Sequence, residues 1–123
     1  MIHLDAHVAV WAHAGRSRLS ASARRLIGSE PCQISPMAIL ELEVLFELRR
    51  IANDSAEIIA DLGSEFGLTV ASTPFIAVIE AARTFAWTRD PFDRLIVANA
   101  IADGARLLTA DATILANFKD AVW

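Results

Sequence analysis

The chain has 123 residues, 54% of them hydrophobic, with a mean hydropathy of +0.41 and a formal net charge of −4. That length fits one domain, residues 1–123, whose core closes without disulfides or metals as staples. The acidic balance excludes the broad basic face of a non-specific nucleic-acid binder. No run of about 18 apolar residues offers a membrane span, and the N-terminus lacks the basic-then-apolar layout of a signal peptide, so the expected address is the cytoplasm. The apolar excess calls for cover, by a homodimer or a protein partner. Cys32 stands alone among apolar neighbours and reads as a buried, inert thiol.

In chain order, Met1 to Leu4 reads as a strand and the segment from there to Ala14 as a helix broken by Gly15. Leu19-Ser20-Ala21-Ser22 starts another helix towards Gly28, with a serine available as cap. A second strand is expected at Cys32 to Ile34. Ser35-Pro36 supplies an N-cap and first helical position for a helix reaching Arg50, and Asn53-Asp54-Ser55 caps the next, which ends near Gly67. Leu68 to Ala71 is a third strand candidate, and Thr73-Pro74 opens a helix carrying Ile76, Ile79, Ala82 and Phe85. Asp90-Pro91 starts a helix that runs to Asp103-Gly104. Arg106 to Thr109 is a fourth strand, followed by a short helix and a last strand at Ala121 to Trp123. Strands alternating with helices predict a three-layer α/β/α fold around a parallel sheet of four or five strands, because parallel strands need crossover connections.

In such a sheet, ligands bind beyond the carboxyl ends of the strands where strand order reverses. Asp5 and Asp111 fall just beyond two strands. Taken singly, each reads as the cap of the helix after it; as a pair on rigid elements, they read as ligands. Glu41 and Glu43 are two residues apart on one helix, about 200° around its axis, so only one can face a common site. Glu43 and Glu47, with Arg50 nearby, read as a solvated stripe. Glu41 stands among Met37, Ile39, Leu40 and Leu45, where a carboxylate needs a partner. Asp90 reads mainly as a helix cap with a supporting role, and Asp93, in the first turn, as the ligand.

Two charges about 4 Å apart repel by roughly 4 kcal/mol at an effective dielectric of 20. Gathering Asp5, Glu41, Asp93 and Asp111 therefore demands cations, and all-oxygen ligands select Mg²⁺ or Mn²⁺ over zinc. No histidine or cysteine pair has zinc spacing: His3 reads as packed, and His7 and His13 lie on different helix faces. Such ions support phosphoryl transfer by activating water and stabilising charge on the attacked phosphate. Arg16, Arg18, Arg89 and Arg94 are candidate phosphate contacts around a rim. Trp11, Trp87 and Trp123 read as core or interface aromatics, since nothing basic is interleaved with them.

Ile2-His3-Leu4-Asp5-Ala6-His7, Ile34-Ser35 with Glu41 downstream, Asp90-Pro91-Phe92-Asp93-Arg94-Leu95-Ile96 and Leu107-Leu108-Thr109-Ala110-Asp111 together resemble a PIN domain, specifically a VapC-type toxin. The resemblance spans nearly the whole chain, in the family's order. It implies a Mg²⁺- or Mn²⁺-dependent endoribonuclease that works as a homodimer and is inhibited by a VapB-type antitoxin. By position, Asp5, Glu41, Asp93 and Asp111 match the family's acidic quartet, and Thr109 matches a hydroxyl residue beside the last acid. Ala6 departs from the threonine or serine frequent after the first acid, and Pro36 from a small polar residue. A receiver-like Mg²⁺-binding signalling module is the alternative from another class, but only one acid follows the first strand and no aspartate follows the third. An inactive PIN-like interaction domain is the other; retention of all four acids argues against it.

Overall fold

The computed structural model describes residues 1–123 as five strands and seven helices: β1 (Ile2–Leu4), α1 (Ala6–Ala14), α2 (Ala21–Ser29), β2 (Cys32–Ile34), α3 (Pro36–Glu47), α4 (Ser55–Phe66), β3 (Thr69–Val70), α5 (Phe75–Ala82), α6 (Pro91–Ala102), β4 (Arg106–Leu108), α7 (Ala112–Asn117) and β5 (Ala121–Val122). The strands form one all-parallel sheet in the order β3-β2-β1-β4-β5. Successive side chains of a strand point to opposite faces, and Ile2, His3 and Leu4 are all fully buried. Both faces of β1 are therefore covered by helices, which is the three-layer arrangement expected of a parallel sheet. No helix is long and apolar enough to cross a membrane.

The chain lays down β1, β2 and β3 in one direction, then returns past β1 to build β4 and β5 on the other side. Strand order thus reverses between β1 and β4, where Leu4 lies opposite Leu108 and the Asp5 amide donates to the Leu108 carbonyl at 3.0 Å. This order also differs from the 2-1-3-4-5 order of a receiver domain, so the topology removes that alternative.

Local chemistry accounts for most boundaries. Ser20 Oγ accepts from the Ala23 amide, Ser35 Oγ from Met37, Asp54 from Glu57 and Asp90 from Asp93, each satisfying a donor that a helix start leaves free. Gly67, at φ 77°, ends α4 in the left-handed conformation glycine tolerates. Two ends differ from expectation. α3 stops at Glu47 rather than Arg50, because the Arg50 amide reaches back to the Leu45 carbonyl and the Arg49 amide to Phe46, with Arg49 left-handed at φ 57°. That is a Schellman closure made without glycine, which residue types alone do not announce. α5 stops at Ala82, and Phe85 lies beyond it, stacked on Trp87 with ring centroids 5.2 Å apart.

Glu43 is not part of a solvated stripe. Its Oε1 accepts from both the amide (3.1 Å) and hydroxyl (2.9 Å) of Ser55, tying α3 to the start of α4. His3 is packed, as expected, and its Nε2 lies 2.8 Å from Asp103 Oδ2. Thr73 does not cap α5; its hydroxyl donates to Asp103 at 2.6 Å and accepts from Asn99 at 2.8 Å. Cys32 is buried, and burial pushes its thiol up to about 11, consistent with an inert group.

Candidate active site

β1 and β4 are three residues long and end side by side, and the residues that follow each strand carry the first two acids. Asp5 is the N-cap of α1 and only 6% exposed. One of its oxygens accepts from the Ala6 amide at 2.8 Å and the other from the Thr109 hydroxyl at 2.6 Å. Thr109 Oγ also accepts from the Asp111 amide at 3.0 Å, so one buried hydroxyl orients the segments carrying both aspartates. Asp111 caps α7 through the Ile114 amide at 2.9 Å. Capping and site-building are thus performed by the same residues.

Glu41 reaches this place from the middle of α3, and Asp93 from the first turn of α6. With Asp90, they join Asp5 and Asp111 in the wall of one open cavity of about 370 Å³, completed by His7, Trp11 and Ala110. All four acids singled out from sequence share this cavity, together with Asp90. Thr109 lies beneath it. His7 and Trp11 were not assigned there; they are four apart on α1 and so share a face, a spacing from Asp5's helix that was available in the sequence.

The electrostatics follow from crowding like charges in a half-buried place. Burial pushes Glu41 up to about 7, reinforced by the charges of Asp5, Asp93, Asp90 and Asp111. Burial likewise pushes Asp93 up to about 6, with Asp90, Asp5 and Asp111 adding to it. Asp5 is raised by burial too, against the opposing pull of the Thr109 and Ala6 hydrogen bonds. Glu41 Oε2 is buried with no hydrogen-bond partner, a costly state for a carboxylate oxygen. No three of these side chains are drawn together into a finished metal cage, and mutual repulsion of the carboxylates opposes that closure. The donor set fits a hard divalent cation: every acid offers oxygen, and one oxygen is buried and unpartnered.

The rim arginines divide. Arg94 is structural, donating to the carbonyls of Ala82 (3.1 Å) and Phe85 (2.8 Å) at the end of α5. Arg16 pairs with Glu65 at 2.6 Å. Arg18 lies over the ring of Trp11, 5.4 Å from its centroid, and Arg89 is exposed.

Residues 2–119 match the PIN domain family model. Over 111 residues the chain is 37% identical to Ribonuclease VapC22 of Mycobacterium tuberculosis (strain ATCC 25618 / H37Rv), covering 88% of this chain and 85% of that protein. Among solved structures, VapBC2 from Rickettsia felis bound to a DNA fragment from its promoter superposes with a TM-score of 0.64 at 16% identity, over 99% of this chain and 96% of that one. FitAcB from Neisseria gonorrhoeae superposes with a TM-score of 0.59 at 17% identity, over 100% and 96%. The ordered acidic motifs, the parallel sheet with its reversal at β1 and β4, and these matches agree: the chain belongs to the PIN domain family, as a VapC-type member.

Proposed function

We propose that this protein is an endoribonuclease that hydrolyses RNA phosphodiester bonds at the carboxylate cavity, with Asp5, Glu41, Asp93 and Asp111 holding Mg²⁺ or Mn²⁺. The observation that carries this reading is the convergence of four acids from four separate chain regions on one cavity at the sheet's reversal point, with a buried Glu41 oxygen left unpartnered. When bound, the divalent cation supplies an activated water and neutralises charge on the attacked phosphate. Thr109 keeps Asp5 in place through its hydroxyl, and Asp90 holds the first turn of α6 so that Asp93 faces the cavity. The four acids orient charge toward the scissile phosphate, and Glu41 and Asp93, raised to about 7 and about 6, are suited to take up protons released there. Purified protein should cut single-stranded RNA with Mg²⁺ or Mn²⁺ and stop on addition of chelator; undiminished cutting in chelator contradicts the reading.

The relative's name and the complexes matched above support a toxin role with a VapB-type antitoxin as partner; the cytoplasm is its proposed place of action. Expression alone should arrest growth, and the product of a neighbouring open reading frame should relieve it. Normal growth with abundant folded protein would count against the toxin role.

A homodimer accounts for the apolar surface. Phe75 and Ile76 are 68% and 67% exposed on α5 and Leu40 is 50% exposed on α3. Phe75 and Leu40 flank a groove that Met37, Val78 and Leu95 also line. Isolated apolar side chains are ordinary on a surface, but a contiguous patch signals an interface. The mass in solution should be twice that of the chain and return to the monomer value in Phe75→Glu; a monomeric wild-type protein removes this part.

A further inference from the structure

The carboxylate cavity has acids but no arginine or lysine in its wall, although its substrate, on the reading above, is a polyanion. Arg18, carried on the turn Arg16–Arg18 that follows α1, reaches one residue of that wall, Trp11. Arg18 is exposed and makes no ion pair; its guanidinium rests instead over the indole of Trp11. Trp11 itself belongs to two places. One side packs against the hydrophobic core, while another part forms wall of the acidic cavity. Trp123 meets it edge-on at 5.7 Å and His7, exposed, is tilted toward it at 6.1 Å.

The buried face of α1 is built from Ala6, Val8, Ala9 and Ala12, and Trp11, only partly buried against that core, extends past it to the cavity. A flat aromatic surface next to a reacting centre, braced by a second aromatic and carrying an unpaired guanidinium, has the chemistry of a nucleotide site: π-faces stack bases of any identity, and arginine takes the phosphate. We propose that Trp11 and Arg18 form a subsite for one unpaired nucleotide flanking the scissile phosphate, the base stacking on the indole from the cavity side while Arg18 turns to its phosphate. Trp87, stacked on Phe85 and absent from the cavity wall, takes no part. This inference rests on the RNA-cutting reading and assigns a binding role, so it predicts an effect on KM more than on kcat.

The test is cleavage of a short single-stranded oligoribonucleotide with Mg²⁺ by wild type, Trp11→Leu and Arg18→Ala, repeated with oligonucleotides carrying one abasic nucleotide at successive positions. Trp11→Leu, which keeps an apolar contact with the core but removes the π-face, should raise KM by on the order of 10- to 100-fold. An abasic nucleotide at one position should raise the wild-type KM similarly and have little further effect in Trp11→Leu. Arg18→Ala should reduce the dependence of log affinity on log salt by about 0.7, the loss of one phosphate contact on a single strand. Unchanged KM and salt dependence in Arg18→Ala, with abasic effects equal in wild type and Trp11→Leu, overturn the subsite while leaving the nuclease intact. Should Trp11→Leu not fold, Arg18→Ala and the abasic series on wild type decide alone: no salt change and no single sensitive position overturn it. If wild type neither binds nor cuts RNA, the nuclease reading fails and the subsite with it.

Discussion

Asp5→Asn should lower the rate of RNA cleavage by on the order of 10³-fold while leaving the fold in place. Several kcal/mol of transition-state stabilisation are at stake when a metal-binding charge is removed, and each 1.4 kcal/mol is about tenfold in rate. Asparagine keeps the size of aspartate and an oxygen able to accept from Ala6 or Thr109, so the cap of α1 survives in outline. What it lacks is the negative charge. Thr109→Val provides the contrasting arm: the charge of Asp5 remains, but the carboxylate loses a buried 2.6 Å donor and the Asp111 amide loses its acceptor. Removing a group that orients a ligand costs roughly 10- to 100-fold, so Thr109→Val should fall between wild type and Asp5→Asn. Steady-state cleavage rates, with thermal melts to confirm folding, check both. Near-wild-type cleavage in folded Asp5→Asn would remove Asp5 from the site.

Glu41→Gln should affect activity and stability in opposite directions. Cleavage should drop by at least about 10²-fold, since the buried carboxylate no longer offers charge to a cation. In chelator at pH 8, however, the variant should melt higher than wild type. In the folded protein Glu41 titrates near 7, raised mainly by burial and then by Asp5, Asp93, Asp90 and Asp111; unfolded, it titrates near its ordinary 4.5. A raised carboxylate adds no penalty below about pH 4.5, because both states are protonated. The penalty grows as the pH rises from 4.5 to 7, where the unfolded chain ionises more readily, and is complete above 7.

Wild type without metal should therefore lose stability from pH 5 to pH 8 relative to Glu41→Gln, with Asp93, raised to about 6, accounting for part of the slope that remains in the variant. Glu41 is only half-buried, so solvent screens part of the repulsion, and a gain of about 3–6 °C in Tm is the expected size for a domain of this length. Adding Mn²⁺ should reverse the order. A ligand at about 100 times its Kd stabilises a protein that binds it by roughly 2.7 kcal/mol, and the variant should forgo much of this. The apparent metal affinity of wild type should climb as pH rises through 6 to 7, because the ligands must shed protons to bind. A Glu41→Gln variant that melts no higher than wild type in chelator at pH 8 would show that Glu41 is not held in the repulsive cavity.

The elements were legible in the sequence because their signals are local. Ser20, Ser35, Asp54 and Asp90 are short polar residues placed where a helix must satisfy free amides, and each does so. Short segments such as Ile2–Leu4 and Cys32–Ile34, bounded by cap and turn residues, read as strands because they are too short for helices. The four acids were legible as well, two from their position after strands and two from a carboxylate set among apolar or first-turn neighbours; together they match an ordered family pattern. What local signals do not carry is three-dimensional adjacency. Glu43 looked solvated from its helical neighbours, but Ser55, twelve residues on, holds it. Arg94 looked available to phosphate, yet it is tied to two carbonyls at and just beyond the end of α5 through two of its five N–H donors. Trp11 looked like core, and it does pack there, but it also lines the wall beside the acids, and that second contact shows only in three dimensions. The sequence by itself determined which groups ionise and where the helices begin, since those depend on covalent identity and on neighbours within a turn. Tertiary structure alone decided which charges share a cavity and how far each is raised, because burial and Coulomb repulsion depend on distance in space, and the returning chain places β4 beside β1.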